Sequence, residues 1–324
     1  MNAHDWLLDS DPAINWQVMR DLTDEPEHVV STERARVGTE GWGARLLSLQ
    51  GDDGQWAGGA HFPGDFSWAD VERGEDGRMT SQPWTATSWS LSLLRVFGLD
   101  PDSPEAKRAV ALVRENSRWD HDGQPFFDGE VEPCINGLTV AIGSYFGEDV
   151  SGIVDRLLGE QMDDGGWNCE QENGSVRGSF HTTIAVLEGL LEYERSVGSS
   201  PDVGEARSRG EQYLLERRLL RRLSDGEVVD RNWTRFHFPP WWHYDVLRGL
   251  DYLAGAGVDP DDRVEEGLDL VEAGRRDDGR WTRSAHPGDI HFEIDEPEGG
   301  PSRWNTLRAL RALRWGGRGE SDSV

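Results

Sequence analysis

Four side chains in this sequence suit a soft or borderline metal: Cys134, Cys169, His181 and His243. Thiolate and imidazole favour Zn²⁺, and two thiolates would not suit Mg²⁺ or Ca²⁺. A second group lies in Arg235-Phe236-His237-Phe238-Pro239-Pro240-Trp241-Trp242-His243-Tyr244-Asp245. Its two prolines stiffen an aromatic loop that delivers His243, Tyr244 and Asp245 to the first turn of a helix. The helix dipole would keep Asp245 ionised, as a base, a metal ligand or simply a cap. His243, Tyr244 and Asp245 are therefore the candidate catalytic groups.

These residues sit in a repeat. Asp-Gly recurs at Asp53-Gly54-Gln55-Trp56, Asp122-Gly123, Asp164-Gly165-Gly166-Trp167, Asp225-Gly226 and Asp278-Gly279-Arg280-Trp281, at intervals of about 42 to 69 residues. Glycine supplies the positive φ that such a turn needs. Each turn closes a helical segment such as Gly43–Gln50, Val150–Met162 or Val264–Arg275. Each is followed by a loop and a more apolar segment: Thr85–Phe97, Cys134–Phe146, His181–Tyr193, His243–Leu253 and Trp304–Trp315. Apolar residues three to four apart, as in Ile184, Leu187, Leu190 and Leu191, predict helices with one buried face. Gly137, Gly143, Gly189 and Gly249 permit close helix contact. The less regular start, Trp6–Asp21 and Ser31–Arg36, reads as one more helix pair that completes a ring.

An Asp-Gly-x-Trp turn followed by a Thr- or His-led inner helix resembles the terpenoid cyclase and protein prenyltransferase superfamily. Asp164-Gly165-Gly166-Trp167 matches the core of its glutamine–tryptophan repeat, and the likeness runs over roughly residues 40 to 315. It implies an all-α fold, a single α/α toroid of about six helix pairs. Residues 1–40 would complete the ring, 41–315 carry the repeats and 316–324 form a flexible tail. In such a toroid the N-termini of the inner helices collect at one rim, which would make neighbours of Cys134, His181 and His243. Glu132-Pro133-Cys134 resembles the acid-x-Cys zinc element of prenyltransferase β-subunits. Ser179-Phe180-His181-Thr182-Thr183 resembles their aromatic-His-Thr element. The resemblance thus implies Glu132, Cys134 and His181 as zinc ligands, while Cys169 and His243 join them from position in the repeat.

Fifteen tryptophans are many for 324 residues. Trp84, Trp167, Trp241, Trp242 and Trp304 are the candidate walls of an apolar substrate cavity, with packing as their other role. Arg235 and Arg303, with Arg231 and Arg248, are candidates for a diphosphate, and surface ion pairing is their alternative. Asp259-Pro260-Asp261-Asp262 has the Asp-x-Asp-Asp form of a cyclase acid, yet Asp100-Pro101-Asp102 recurs at an equivalent connection, which predicts a turn and helix cap instead.

A net charge of −28 disfavours nucleic acid and anionic membrane surfaces as partners. No stretch has the length of a membrane span, no signal peptide opens the chain, and two cysteines make no disulfide scaffold. The expectation is a cytoplasmic, zinc-dependent prenyltransferase-like enzyme acting on an isoprenoid or other apolar substrate, for which the resemblance implies a second subunit. The alternatives are a squalene-cyclase-like terpenoid cyclase and a non-catalytic, metal-stabilised binding module.

Overall fold

Helices begin where a capping side chain or a proline permits. Asp11 accepts from the Ala13 N–H, Ser103 from Ala106 and Ser302 from Asn305, and Pro12, Pro104, Pro133 and Pro201 open their helices. The resulting structure, a computed structural model that describes residues 2–74, 79–198 and 200–319, is helix-rich. Its helices are α1 (Ala3–Leu8), α2 (Pro12–Asp21), α3 (Glu27–Ala35), α4 (Gly41–Leu47), α5 (Thr87–Phe97), α6 (Pro104–Asn116) and α7 (Pro133–Phe146). They continue as α8 (Ser151–Gly159), α9 (Phe180–Val197), α10 (Pro201–Glu216), α11 (Val246–Ala256), α12 (Glu265–Ala273) and α13 (Arg303–Trp315). Strands β1 (Trp281–Thr282) and β2 (Pro301–Ser302) pair antiparallel. No helix among the described residues is long and apolar enough to cross a membrane.

Two boundaries differ from the sequence reading for local reasons. The expected segment Trp6–Asp21 divides into α1 and α2, because Asp11 caps a new start and Pro12 opens it. The helix expected from His243 begins at Val246, because Asp245 is its extended N-cap and accepts from the Arg248 N–H at 2.8 Å. His243 and Tyr244 therefore lie before the helix.

The more apolar helices contact one another in chain order: α2 meets α5, α5 meets α7, α7 meets α9, α9 meets α11 and α11 meets α13, while α13 returns to α2. Between α7 and α9 the backbones approach closely. A Cβ on Gly137 would lie 2.6 Å from the Ala185 carbonyl oxygen, and one on Gly189 would lie 2.4 Å from that of Gly137. Residues 316–319 continue from α13, with Arg318 ion-paired to Glu265, Asp269 and Glu272. Residues 320–324, where the tail was expected, lie outside the described residues.

The Asp-Gly-x-Trp turns act as clamps. The Trp56, Trp167 and Trp281 indoles donate to Leu46, Leu157 and Val271 carbonyls at 2.7–2.8 Å, in the last turns of α4, α8 and α12, where carbonyls run short of helical partners. Their backbone N–H groups donate to Thr87, Thr183 and Thr306 in the next apolar helix. Gln50 and Gln161 each donate both to their own turn and to the following helix, at Ala109 and Ala206. One turn thus ties three helices. Thr183→Val should cost about 1–3 kcal/mol in urea unfolding, because the buried Trp167 N–H loses its acceptor. A cost near zero would count against the clamp.

Candidate metal centre

Glu132 is the N-cap residue of α7 but makes no side-chain cap bond, which leaves its carboxylate free for other partners. Cys134 follows in the first turn. Cys169 opens a short 3₁₀ turn that Asn168 caps, and its N–H and sulfur both engage Thr182 Oγ1 on α9, at 3.3 and 3.4 Å. The two thiols are free, with sulfurs 2.8 Å apart, and Cys134 Sγ lies 3.5 Å from Glu132 Oε2. The three ligand atoms all lie within 4.8 Å of one another. A tetrahedral zinc with bonds of about 2.3 Å holds two sulfurs about 3.8 Å apart, so binding asks the thiols to separate by about 1 Å. The neighbouring Cys169 sulfur, burial and the Glu132 carboxylate all hold the Cys134 thiol well above its ordinary value. A bound cation would reverse that balance.

The expected histidine ligands do not join this group. His181 Nδ1 accepts the Tyr244 N–H at 2.8 Å, which places the proton of the neutral ring on Nε2 and leaves that nitrogen a donor. His243 is stacked between Trp242 (3.6 Å) and His286 (3.8 Å), and His286 stacks in turn on His237 (4.1 Å). Parallel rings in such a stack do not converge their nitrogens on one point.

The expected catalytic trio is likewise committed elsewhere. Asp245 is buried, capping α11 with one oxygen and accepting the His237 N–H with the other. Tyr244 is buried, and its hydroxyl donates to the Leu219 carbonyl at 2.7 Å. Asp261 pairs with Arg263, whose hydrogen bonds hold its carboxyl below the usual range, so it is no protonated cyclase acid.

Beside the thiols opens a cavity of about 440 Å³, walled by Phe62, Trp68, Trp89, Leu138, Trp241 and Trp242 together with His61 and His181. His61, Phe62, Trp68 and Met79 come from the long loop between Trp56 and α5, of which residues 75–78 lie outside the described residues. Of the predicted tryptophans, Trp241 and Trp242 line this cavity. Trp84 stacks on Trp241 at 5.1 Å and lines a second cavity of about 730 Å³, and Trp304 lines a third. Trp167 lines none of them, being spent in its clamp. Arg235 and Arg231 are exposed and line none. Arg303 is held by the Trp6 carbonyl and ring. Arg248 is buried. It forms a bidentate pair with Glu188 at 2.6–2.8 Å and donates to the Trp241 and His243 carbonyls, which holds the aromatic loop over the cavity.

Sequence reasoning missed His61, which packs 4.6 Å from Trp89 and shares a hydrogen bond with Ser88 Oγ at 3.1 Å. Its one sequence signal was a place five residues after the first Asp-Gly-x-Trp turn. Burial lowers its pKa to about 4, and burial followed by His181 lowers that of His243 to about 3. Unfolded histidines take up protons below about pH 6.5, and these folded ones do not until much lower, so stability falls as pH drops through that window. His61 alone accounts for up to about 3 kcal/mol between pH 6.5 and 4. His61→Gln should flatten the fall in unfolding free energy between pH 7.5 and 5, and an unchanged slope would show that His61 does not cause it.

No family model matches the chain, and no curated protein matches it.

Proposed function

We propose that the chain is a single α/α toroid and a zinc-dependent enzyme of prenyltransferase-like type, acting on an isoprenoid or other apolar substrate. The returning contact of α13 on α2 supports the ring, as does the cavity to which all six apolar helices contribute. One observation carries the chemistry: Glu132, Cys134 and Cys169 form a three-ligand set that opens onto an aromatic cavity. Three protein ligands with a fourth position open is the arrangement of catalytic zinc, whereas structural sites are closed by four. When bound, zinc would lower the pKa of a thiol or water at that position.

The chain's own residues do the rest. Thr182 orients the Cys169 sulfur. Phe62, Trp89, Trp241 and Trp242 bind hydrocarbon and exclude water. The Arg248–Glu188 pair fixes the loop that carries Trp241, whose φ of +49° is unusual for a bulky residue. Four of the five Arg248 N–H donors are engaged by Glu188 and by the Trp241 and His243 carbonyls, which leaves too little for a bidentate hold on a diphosphate, so recognition in this cavity falls on the hydrocarbon.

Zinc-loaded protein would be incubated with a C15 prenyl diphosphate and a cysteine-containing peptide, and products followed by mass spectrometry. Zinc-dependent alkylation or hydrolysis, reduced at least about 100-fold in Cys169→Ser, is expected. Tight zinc binding with neither product would overturn the enzymatic reading and leave a metal-stabilised binding module.

A further inference from the structure

A cavity of about 960 Å³ lies among the C-terminal halves of the apolar helices and shares Leu138, Glu188, Trp241 and Arg248 with the aromatic one. Its wall carries eight arginines against four carboxylates, Asp21, Glu188, Glu192 and Asp251, a formal excess of four positive charges. The whole chain is at −28. A cationic interior inside an acidic shell focuses potential toward anions of the right size and excludes cations.

The carboxylates are already taken. Glu188 holds Arg248, Glu192 holds Arg95, and Asp21 and Asp251 share Arg311. Arg34, Arg95 and Arg195 are among the guanidiniums that keep unused donors. Among the described residues, Arg34 donates only to the Gly98 carbonyl and the Tyr145 hydroxyl, and lies over the Trp16 ring at 5.3 Å. Arg195 donates, among the described residues, only to the Gly255 carbonyl. Arg95 Nε is buried with no hydrogen-bond partner. These groups are close: the Tyr145 hydroxyl feels Arg34, Glu192 and Arg95, and Arg195 is one turn along α9 from Glu192. Arg34 and Arg195 have no carboxylate partner among the described residues and both line the chamber, so an acceptor placed between them would meet N–H groups that nothing else engages.

We propose that this chamber is a second binding site, for an oxyanion of two or more negative charges, a phosphate or a polycarboxylate, held by Arg34, Arg95 and Arg195. The planar guanidinium fork matches both oxyanions. The inference is independent of the metal site, because none of these arginines touches Glu132, Cys134 or Cys169.

Calorimetric titration of the full chain at low salt, with inorganic pyrophosphate and separately with citrate, tests it. At least one is expected to bind saturably, near one per chain, and more weakly as salt rises. Pyrophosphate alone would identify a phosphate ligand, citrate alone a carboxylate, and both a site that reads charge. Arg34→Gln with Arg195→Gln should weaken binding at least about tenfold, the loss of two charge-assisted contacts. The exposed Arg195→Gln alone should weaken it at least about threefold, which keeps the test readable if the double variant is poorly folded. Arg318→Gln, outside the chamber, and Cys134→Ala should leave it within about twofold. No saturable binding of either anion up to about 10 mM, or binding that the Arg195→Gln and double variants leave unchanged, would overturn the proposal.

Discussion

Cys134→Ala is expected to reduce bound zinc from about one per chain to less than about a tenth, with the apo protein still folded. The substitution removes one of two thiolates from a three-ligand set, and the remaining Cys169 and Glu132 cannot hold a soft cation against water. Cys134 is half-buried, at the start of α7, and its loss should cost about 1 kcal/mol, a small change in melting temperature for a chain of this size. Thr182→Val removes only the hydroxyl that orients Cys169, so it should weaken zinc about 10-fold rather than abolish binding. Zinc affinity in the unsubstituted protein should rise with pH, because the raised Cys134 thiol must lose its proton before it can ligate. Full zinc retention in Cys134→Ala would remove this cysteine from the site.

Trp167→Ala should destabilise by about 3–5 kcal/mol, among the largest single-residue effects in the chain. Its ring is fully buried, and a Cβ on Gly210 would lie 2.8 Å from it, so the surroundings fit it tightly. Removal opens a cavity between α8, α9 and α10 and orphans the Leu157 carbonyl at the end of α8. Trp167→Phe keeps most of the packing and loses the hydrogen bond, for about 1–3 kcal/mol. Urea unfolding separates the two. If Trp167 instead walled a substrate cavity, either change would leave stability within about 1 kcal/mol and alter ligand affinity.

The turns and helices were legible because their signals are local. Asp-Gly-x-Trp encodes a positive φ and a buried indole in four residues, and apolar spacing places α7, α9 and α13 to within a few positions. The break at Asp11-Pro12 and the delayed start of α11 are also local, but one capping aspartate outweighs the apolar pattern around it. Glu132 and Cys134 open α7, and Cys169 lies in the turn leading to α9, so the close packing of α7 on α9 brings them together. The histidines could not be placed in that way. His181 is fixed by the Tyr244 N–H sixty-three residues on, and His243 by His286, so their orientations depend on contacts that no spacing reports. Arg308 and Arg311 of α13 drew no notice in the sequence, and they line a cavity because α2 and α11 pack beside their helix.

Diffraction at the zinc absorption edge, from crystals of the full chain grown with zinc, tests the central claim most directly. The expected result is one anomalous peak about 2.3 Å from both Cys134 Sγ and Cys169 Sγ and about 2.0–2.2 Å from a Glu132 oxygen, its fourth position toward the aromatic cavity. No peak between the two sulfurs, or a fourth protein ligand closing the site, would contradict it.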